Sequence, residues 1–212
     1  MNYILKISFA LILILSTIGC GKVEKKEKES IEKETVIVQM EFGKWKTEND
    51  SLGVELKTKQ FNKWVDLVER AGKIVCNDSL PKITLITGDE IKTIYFQNPC
   101  WEEDSYKIIK QKNVFEIHND TIFKNRESIF PIDSLESVLR KDIENNGVNP
   151  ILSENSEKLM FFISYDKKNG FKKLPIILNK LTEKYYVITN KTDIKIWLTD
   201  KEYFKPPPRP KK

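Results

Sequence analysis

Residues 159–163 read Leu-Met-Phe-Phe-Ile without interruption. Successive side chains of a strand point to opposite sides of its sheet, so this run leaves neither face polar. A strand of this kind must sit in the interior of a sheet, with other chain covering it on both sides. The flanking sequence supplies such cover. Pro131 and Asp133 open a helical stretch in which Ile132, Leu135, Val138, Leu139 and Ile143 form one apolar stripe. Asp133 and Glu136 have capping-box spacing, and Asn145-Asn146-Gly147 closes the stretch. A second helix is expected from Leu174, with Pro175 tolerable in its first turn and Leu174, Ile177, Leu178 and Leu181 facing the core.

Val114, Phe115 and Ile117 lead to a turn at Asn119-Asp120, from which Ile122 and Phe123 return as a hairpin. Ile194–Leu198, with Trp197, forms the last strand. The order over 107–204 is therefore strand, strand, helix, strand, helix, strand. Parallel pairing of the last two strands across the second helix would make a right-handed βαβ unit.

Residues 36–106 read as a smaller α+β domain. Val36–Phe42 and Leu52–Lys57 have strand character. Phe61, Trp64, Val65 and Val68 recur at helical spacing, with Gly72 as the expected stop. Ile83–Thr87 and Ile91–Phe96 flank Gly88-Asp89-Glu90 as a hairpin. The fold class expected for the whole is α+β, with small mixed sheets and few helices.

The N-terminus has a different character. Lys6 precedes the apolar run Ile7–Leu15, after which Ser16, Thr17 and Gly19 lead to Cys20. This is the layout of a secretory signal over residues 1–19. The run is shorter than the roughly 20 residues that span a bilayer; an uncleaved anchor is the alternative. Thr17-Ile18-Gly19-Cys20 resembles the lipobox of bacterial lipoproteins, with Thr17 where Leu is usual. That resemblance implies cleavage before Cys20 and acylation of it. Several acyl chains anchor stably where one binds only marginally. Residues 20–35 carry five Lys and five Glu and read as a charged tether with too little apolar surface to fold alone.

The net charge of +5 is concentrated at the C-terminus, where Lys201, Lys205, Arg209, Lys211 and Lys212 stand against Glu202. Residues 36–200 are neutral in sum, which argues against a nucleic-acid partner. The tail 205–212 is Pro- and Lys-rich and should be extended. Cys76 and Cys100 are an even pair in a chain read as exported, which suggests a disulfide; two buried thiols are the alternative.

The stretches Val114–Asn125, Leu135–Ile143, Leu159–Asp166, Leu174–Leu181 and Ile194–Leu198 together resemble the periplasmic domain of the ExbD/TolR biopolymer-transport family. Phe-Phe-Ile-Ser-Tyr-Asp at 161–166 is similar to that family's strand ending in an acidic residue. The resemblance implies a small α/β domain suited to self-association or to contact with envelope components. It supplies no catalytic residue. The membrane-embedded acidic residue of the family has no counterpart in Ile7–Leu15, so its proton-driven role does not transfer.

No nucleophile elbow or Gly-rich phosphate loop is present. His118, the sole histidine, sits beside a turn. Asp166 and Asp193 are candidates for paired carboxylates. Glu102-Glu103-Asp104 lacks the spacing of a calcium loop, and two Cys with one distant His make a poor zinc set. Trp45 and Trp101 are candidate ligand platforms, with a small core as the alternative. No catalytic residue, metal or cofactor is expected. The expectation is a lipid-anchored, non-enzymatic protein at the outer membrane or the periplasmic face of a bacterial membrane. Its partners would be the membrane, through Cys20, and an envelope protein or a second copy. An accessory of a TonB-type energised transport system and an envelope hydrolase are the alternatives.

Overall fold

The computed structural model describes residues 37–44, 53–100, 109–125, 128–166 and 171–200. Cys20 with its signal and tether, Trp45, Trp101, Glu102-Glu103-Asp104 and the tail 205–212 lie outside these residues. The described chain is α+β, with two mixed sheets and three α-helices.

The first sheet has the order β1-β4-β3-β2. β3 (Leu80–Thr87) and β4 (Glu90–Tyr95) form the expected antiparallel hairpin around Gly88-Asp89. β1 (Val38–Phe42) runs parallel to β4, and β2 (Gly53–Glu55) runs parallel to β3. The second sheet has the order β7-β6-β5-β8-β9. β5 (Val114–His118), β6 (Thr121–Lys124) and β7 (Ser128–Pro131) make an antiparallel meander. Asn119, at φ 54°, supplies the left-handed residue that a tight hairpin turn requires.

β8 (Met160–Ser164) lies between β5 and β9 (Ile196–Leu198), parallel to both. This is the interior strand that the apolar run demands. Phe161 and Ile163 enter the main core, while Phe162 stacks on Trp197 on the other face, with centroids 5.1 Å apart.

α1 (Trp64–Val75) buries Trp64, Leu67, Ala71 and Ile74. Gly72 lies inside this helix instead of ending it. The burial of Ile74 carries the helix one turn further, and Gly72 faces open space. α2 (Leu135–Ile143) buries Leu135, Leu139 and Ile143, and a 3-10 turn over Ile132–Ser134 precedes it. Asp133 does not cap α2. Its carboxylate accepts from Lys180 Nζ at 2.9 Å, on α3 (Leu174–Thr189), and no side chain caps the start of α2. α3 carries Pro175 in its first turn and ends at Asn190 in a left-handed conformation, φ 53°, a common helix stop. Strand β7 was absent from the expected order because its four residues, alternately half-buried and exposed, abut the helix start and carry no run of their own.

One apolar core collects residues from both sides of position 106. Phe42, Leu56, Trp64, Ile83 and Ile94 join Phe115, Ile117, Phe161, Ile163 and Leu178. Hydrogen bonds also cross between the sheets. The Asn98 side chain acts as a short strand on the edge of β9, donating to Leu198 O (2.6 Å) and accepting from Leu198 N (3.0 Å). Trp64 Nε1 donates to Thr199 O at 2.7 Å. Gly43, at φ 71°, donates to Thr192 O, and a Cβ there would meet Tyr95 O at 2.7 Å. Only glycine fits so close a backbone approach. A disulfide joins Cys76, at the end of α1, to Cys100 beyond β4, with Cα atoms 4.9 Å apart.

Candidate functional site

β2 pairs only with Leu80–Lys82, the first three residues of the eight-residue β3. The chain leaves the sheet after Leu56 N donates to Lys82 O at 2.7 Å. Beyond that point a side chain replaces the strand. The Glu55 carboxylate accepts from Thr84 N at 2.8 Å and from Thr84 Oγ1 at 2.9 Å.

Backbone groups alternate sides along a strand. Because Thr84 N faces Glu55, the N–H and C=O of Ile86 face the same way, onto an edge that no described residue covers. Two 3-10 and helical segments rise on either side of this edge. Thr58–Gln60 follows β2, and the first turn of α3 brings Pro175, Ile176 and Asn179.

Between them lies a groove of about 770 Å³, with Leu56, Ile83 and Leu85 among its lining residues. Leu56 and Ile83 are buried, while Ile86 and Ile176 on the lip are 74% and 65% exposed. Lys57 and Lys59 are exposed on the rim and form no ion pair among the described residues. Asn179 is fixed from below, its Oδ1 accepting from Lys92 Nζ at 2.9 Å, and Lys92 also pairs with Glu90. The volume and the mainly apolar lining surface are those of a binding cleft, with polar side chains around it.

His118 and Asp166, two of the residues weighed for chemistry in the sequence, meet elsewhere. Parallel pairing puts His118 opposite Ser164, at the C-terminal ends of β5 and β8. His118 Nδ1 lies 2.8 Å from Ser164 Oγ, and His118 Nε2 lies 3.1 Å from Asp166 Oδ1. Asn119 Nδ2 donates to Asp166 Oδ2 (3.1 Å), and Asn119 Oδ1 accepts from Asp166 N (3.3 Å). The result is a closed polar knot that holds the β5–β6 turn against the end of β8.

Asp193 is not part of this knot. It accepts the Tyr185 hydroxyl at 2.8 Å; burial first, and then the Asp193 carboxylate, push that phenol above its ordinary range. Among the described residues no group of three His, Cys, Asp or Glu could hold a metal ion, and no helix is long and apolar enough to cross a membrane.

The groove escaped the sequence reading because its walls come from positions 55–60, 83–87 and 175–179, which nothing in a linear pattern connects. No protein-family model, no curated protein and no solved structure matches this chain.

Proposed function

We propose that this is a lipid-anchored, non-enzymatic protein of the bacterial cell envelope that works by contacts of its folded body. The observation that carries the reading is Cys20, placed after Lys6, the apolar run Ile7–Leu15 and the small residue Gly19. A diacylglyceryl thioether on such a cysteine, with a further acyl chain on its amino group after cleavage, would give stable membrane residence. The Lys/Glu tether that follows would hold the folded part away from the lipid surface. The groove beside β3 offers that folded part a place to receive another molecule.

Metabolic labelling with an alkynyl palmitate tests the anchor. Label is expected on the wild-type protein and absent from Cys20→Ala, and globomycin is expected to cause accumulation of the uncleaved precursor. An unlabelled wild-type protein, or label retained by Cys20→Ala, would overturn the reading.

A second reading, as accessory to a TonB-type energised transport system, draws support from the order of β5, β6, α2, β8, α3 and β9, with β8 and β9 parallel across α3. Crosslinking in intact cells followed by purification should recover a transport component if that reading holds, and its absence would remove it.

A further inference from the structure

We propose that the open edge of β3 receives an extended, acidic segment of a partner protein, which adds as a strand beside Ile86, beyond the Glu55 carboxylate, and sets alternate apolar side chains into the groove. This names the partner chemistry for the contact role proposed above and rests on that reading.

Three observations fix the occupant. First, strand alternation turns the N–H and C=O of Ile86 to the side of Thr84 N, where they match the backbone donors and acceptors that an extended peptide supplies. The Glu55 carboxylate already makes one such bond, to Thr84 N, and marks where the natural pairing stops. Second, side chains of an added strand alternate between faces, so every second one would meet the apolar surface of Leu85 and Ile176. Third, Lys57 and Lys59 stand exposed on the rim with no anionic partner among the described residues, which favours carboxylates at the intervening positions.

The same features disfavour two other occupants. The segment 205–212 carries four prolines, which lack the N–H needed to pair, and its charge is positive like the rim. A second copy pairing edge to edge would bring the lysines of the two rims together. Long uncovered edges invite such pairing, and rim lysines are a common device against it.

The test uses the full-length protein in detergent micelles and fluorescence anisotropy with three short labelled peptides. One alternates Glu and Val, one alternates Lys and Val, and the third is the Glu/Val peptide with alternate amides N-methylated. The Glu/Val peptide should bind, and N-methylation should weaken it about tenfold or more, since each lost backbone bond removes of the order of one kcal/mol.

Ile86→Pro, which removes the edge N–H, should weaken the Glu/Val peptide to a similar degree. Ile176→Ser, an exposed change that removes apolar surface without adding charge, should weaken it severalfold without altering the thermal midpoint. Lys57→Glu combined with Lys59→Glu should reverse the preference toward the Lys/Val peptide. Equal binding of the N-methylated peptide, equal binding of the two charge patterns, or no binding of any peptide would overturn the proposal. A dimer detected by ultracentrifugation and dissolved by Ile86→Pro would also overturn it, by making a second copy the occupant. These outcomes are independent of acyl labelling at Cys20, so either result can fail while the other stands.

Discussion

Lys124 Nζ and Asp142 Oδ2 lie 2.6 Å apart with almost no solvent access to either side chain. The ammonium also donates to Lys112 O (2.6 Å) and Val114 O (3.1 Å), so all three of its protons are used. The other carboxylate oxygen accepts from Ser153 N at 2.9 Å. One ion pair thus ties β6, α2, the turn entering β5 and the loop after α2. Burial pushes the lysine down and the aspartate up, and their mutual attraction opposes both shifts. A buried pair of this kind is costly to break from one side, because the remaining charge has no partner. Asp142→Asn is expected to cost about 3–5 kcal/mol in urea unfolding. Replacing both, Lys124→Met with Asp142→Leu, should recover much of that loss. It should still retain a deficit of about 1–3 kcal/mol from the orphaned Ser153 N–H and from the Lys112 and Val114 carbonyls that lose the ammonium. Losses in the Lys124→Met and Asp142→Leu single variants that add up to the loss in the double would show that the pair is not coupled.

The disulfide closes a loop with a separation of 24 residues, containing the whole β3–β4 hairpin. Its chief effect is on the unfolded chain, and the loop-closure relation gives about 3 kcal/mol. The Cys76→Ala, Cys100→Ala double variant should lose about that much in chemical denaturation. Dithiothreitol should lower the denaturation midpoint of the wild type and leave that of the variant unchanged.

Tyr165 is 5% exposed, and its hydroxyl has no hydrogen-bond partner among the described residues. Desolvation raises its pKa above the ordinary phenol range. The ring itself is well placed, edge-on to Trp64 with centroids 5.0 Å apart. Tyr165→Phe keeps that contact and removes the stranded polar group. The variant should be more stable than wild type by about 1 kcal/mol, read from the shift in urea midpoint at unchanged slope. A loss of similar size would mean that the hydroxyl is bonded in solution.

Strong local signals were legible in the sequence. Leu159–Ile163 fitted an interior strand, and Leu174, Ile177, Leu178 and Leu181 fitted one face of a helix; both are found. So is the Cys76–Cys100 bond. What failed was punctuation and pairing. Gly72 costs a helix about 1 kcal/mol relative to alanine, less than the burial of Ile74 contributes, so tertiary packing overrode the stop. Asp133 had the spacing of a cap, but the longer reach of Lys180 from α3 offered its carboxylate a cation. The meeting of His118, Ser164 and Asp166 depends on the parallel register of β5 and β8; sequence periodicity fixes the face each residue takes, but not which strands pair or by what even shift.

That meeting produces a string of hydroxyl, imidazole and carboxylate, which invites comparison with a hydrolytic triad. A nucleophile must reach a substrate carbonyl, however, and Ser164 is 8% exposed on an interior strand. Its hydroxyl is engaged with His118, whose other nitrogen is held by Asp166. A fluorophosphonate probe should therefore leave Ser164 unlabelled. Asn119→Ala should instead reveal the structural use of the knot, by removing two hydrogen bonds to Asp166 and placing alanine at φ 54°. The loss should be about 1–3 kcal/mol in urea unfolding. Probe labelling that disappears in Ser164→Ala would instead establish an acyl-transfer site.

Glu154 gives the fold a pH dependence with a definite sign. Its carboxylate accepts from Lys110 and Lys158, each at 2.7 Å, and pairs with Lys112 at 3.0 Å. The lysines, Lys110 first, hold it far below the usual carboxylate range. A carboxyl group whose folded pKa is depressed stabilises the fold at pH values above its unfolded pKa. That contribution fades as the pH falls from about 4.3, the ordinary glutamate value, toward the depressed one. Wild-type stability should therefore fall more steeply than that of Glu154→Gln as the pH is lowered from 5 through that range, and the two curves should converge at the acid end. The three lysines are partly open to solvent, so salt should screen the effect. The difference between wild type and Glu154→Gln should shrink at about 1 M salt, where screening acts over roughly 3 Å, in thermal unfolding at each pH. Parallel pH profiles would show that the lysines leave the carboxyl untouched in solution.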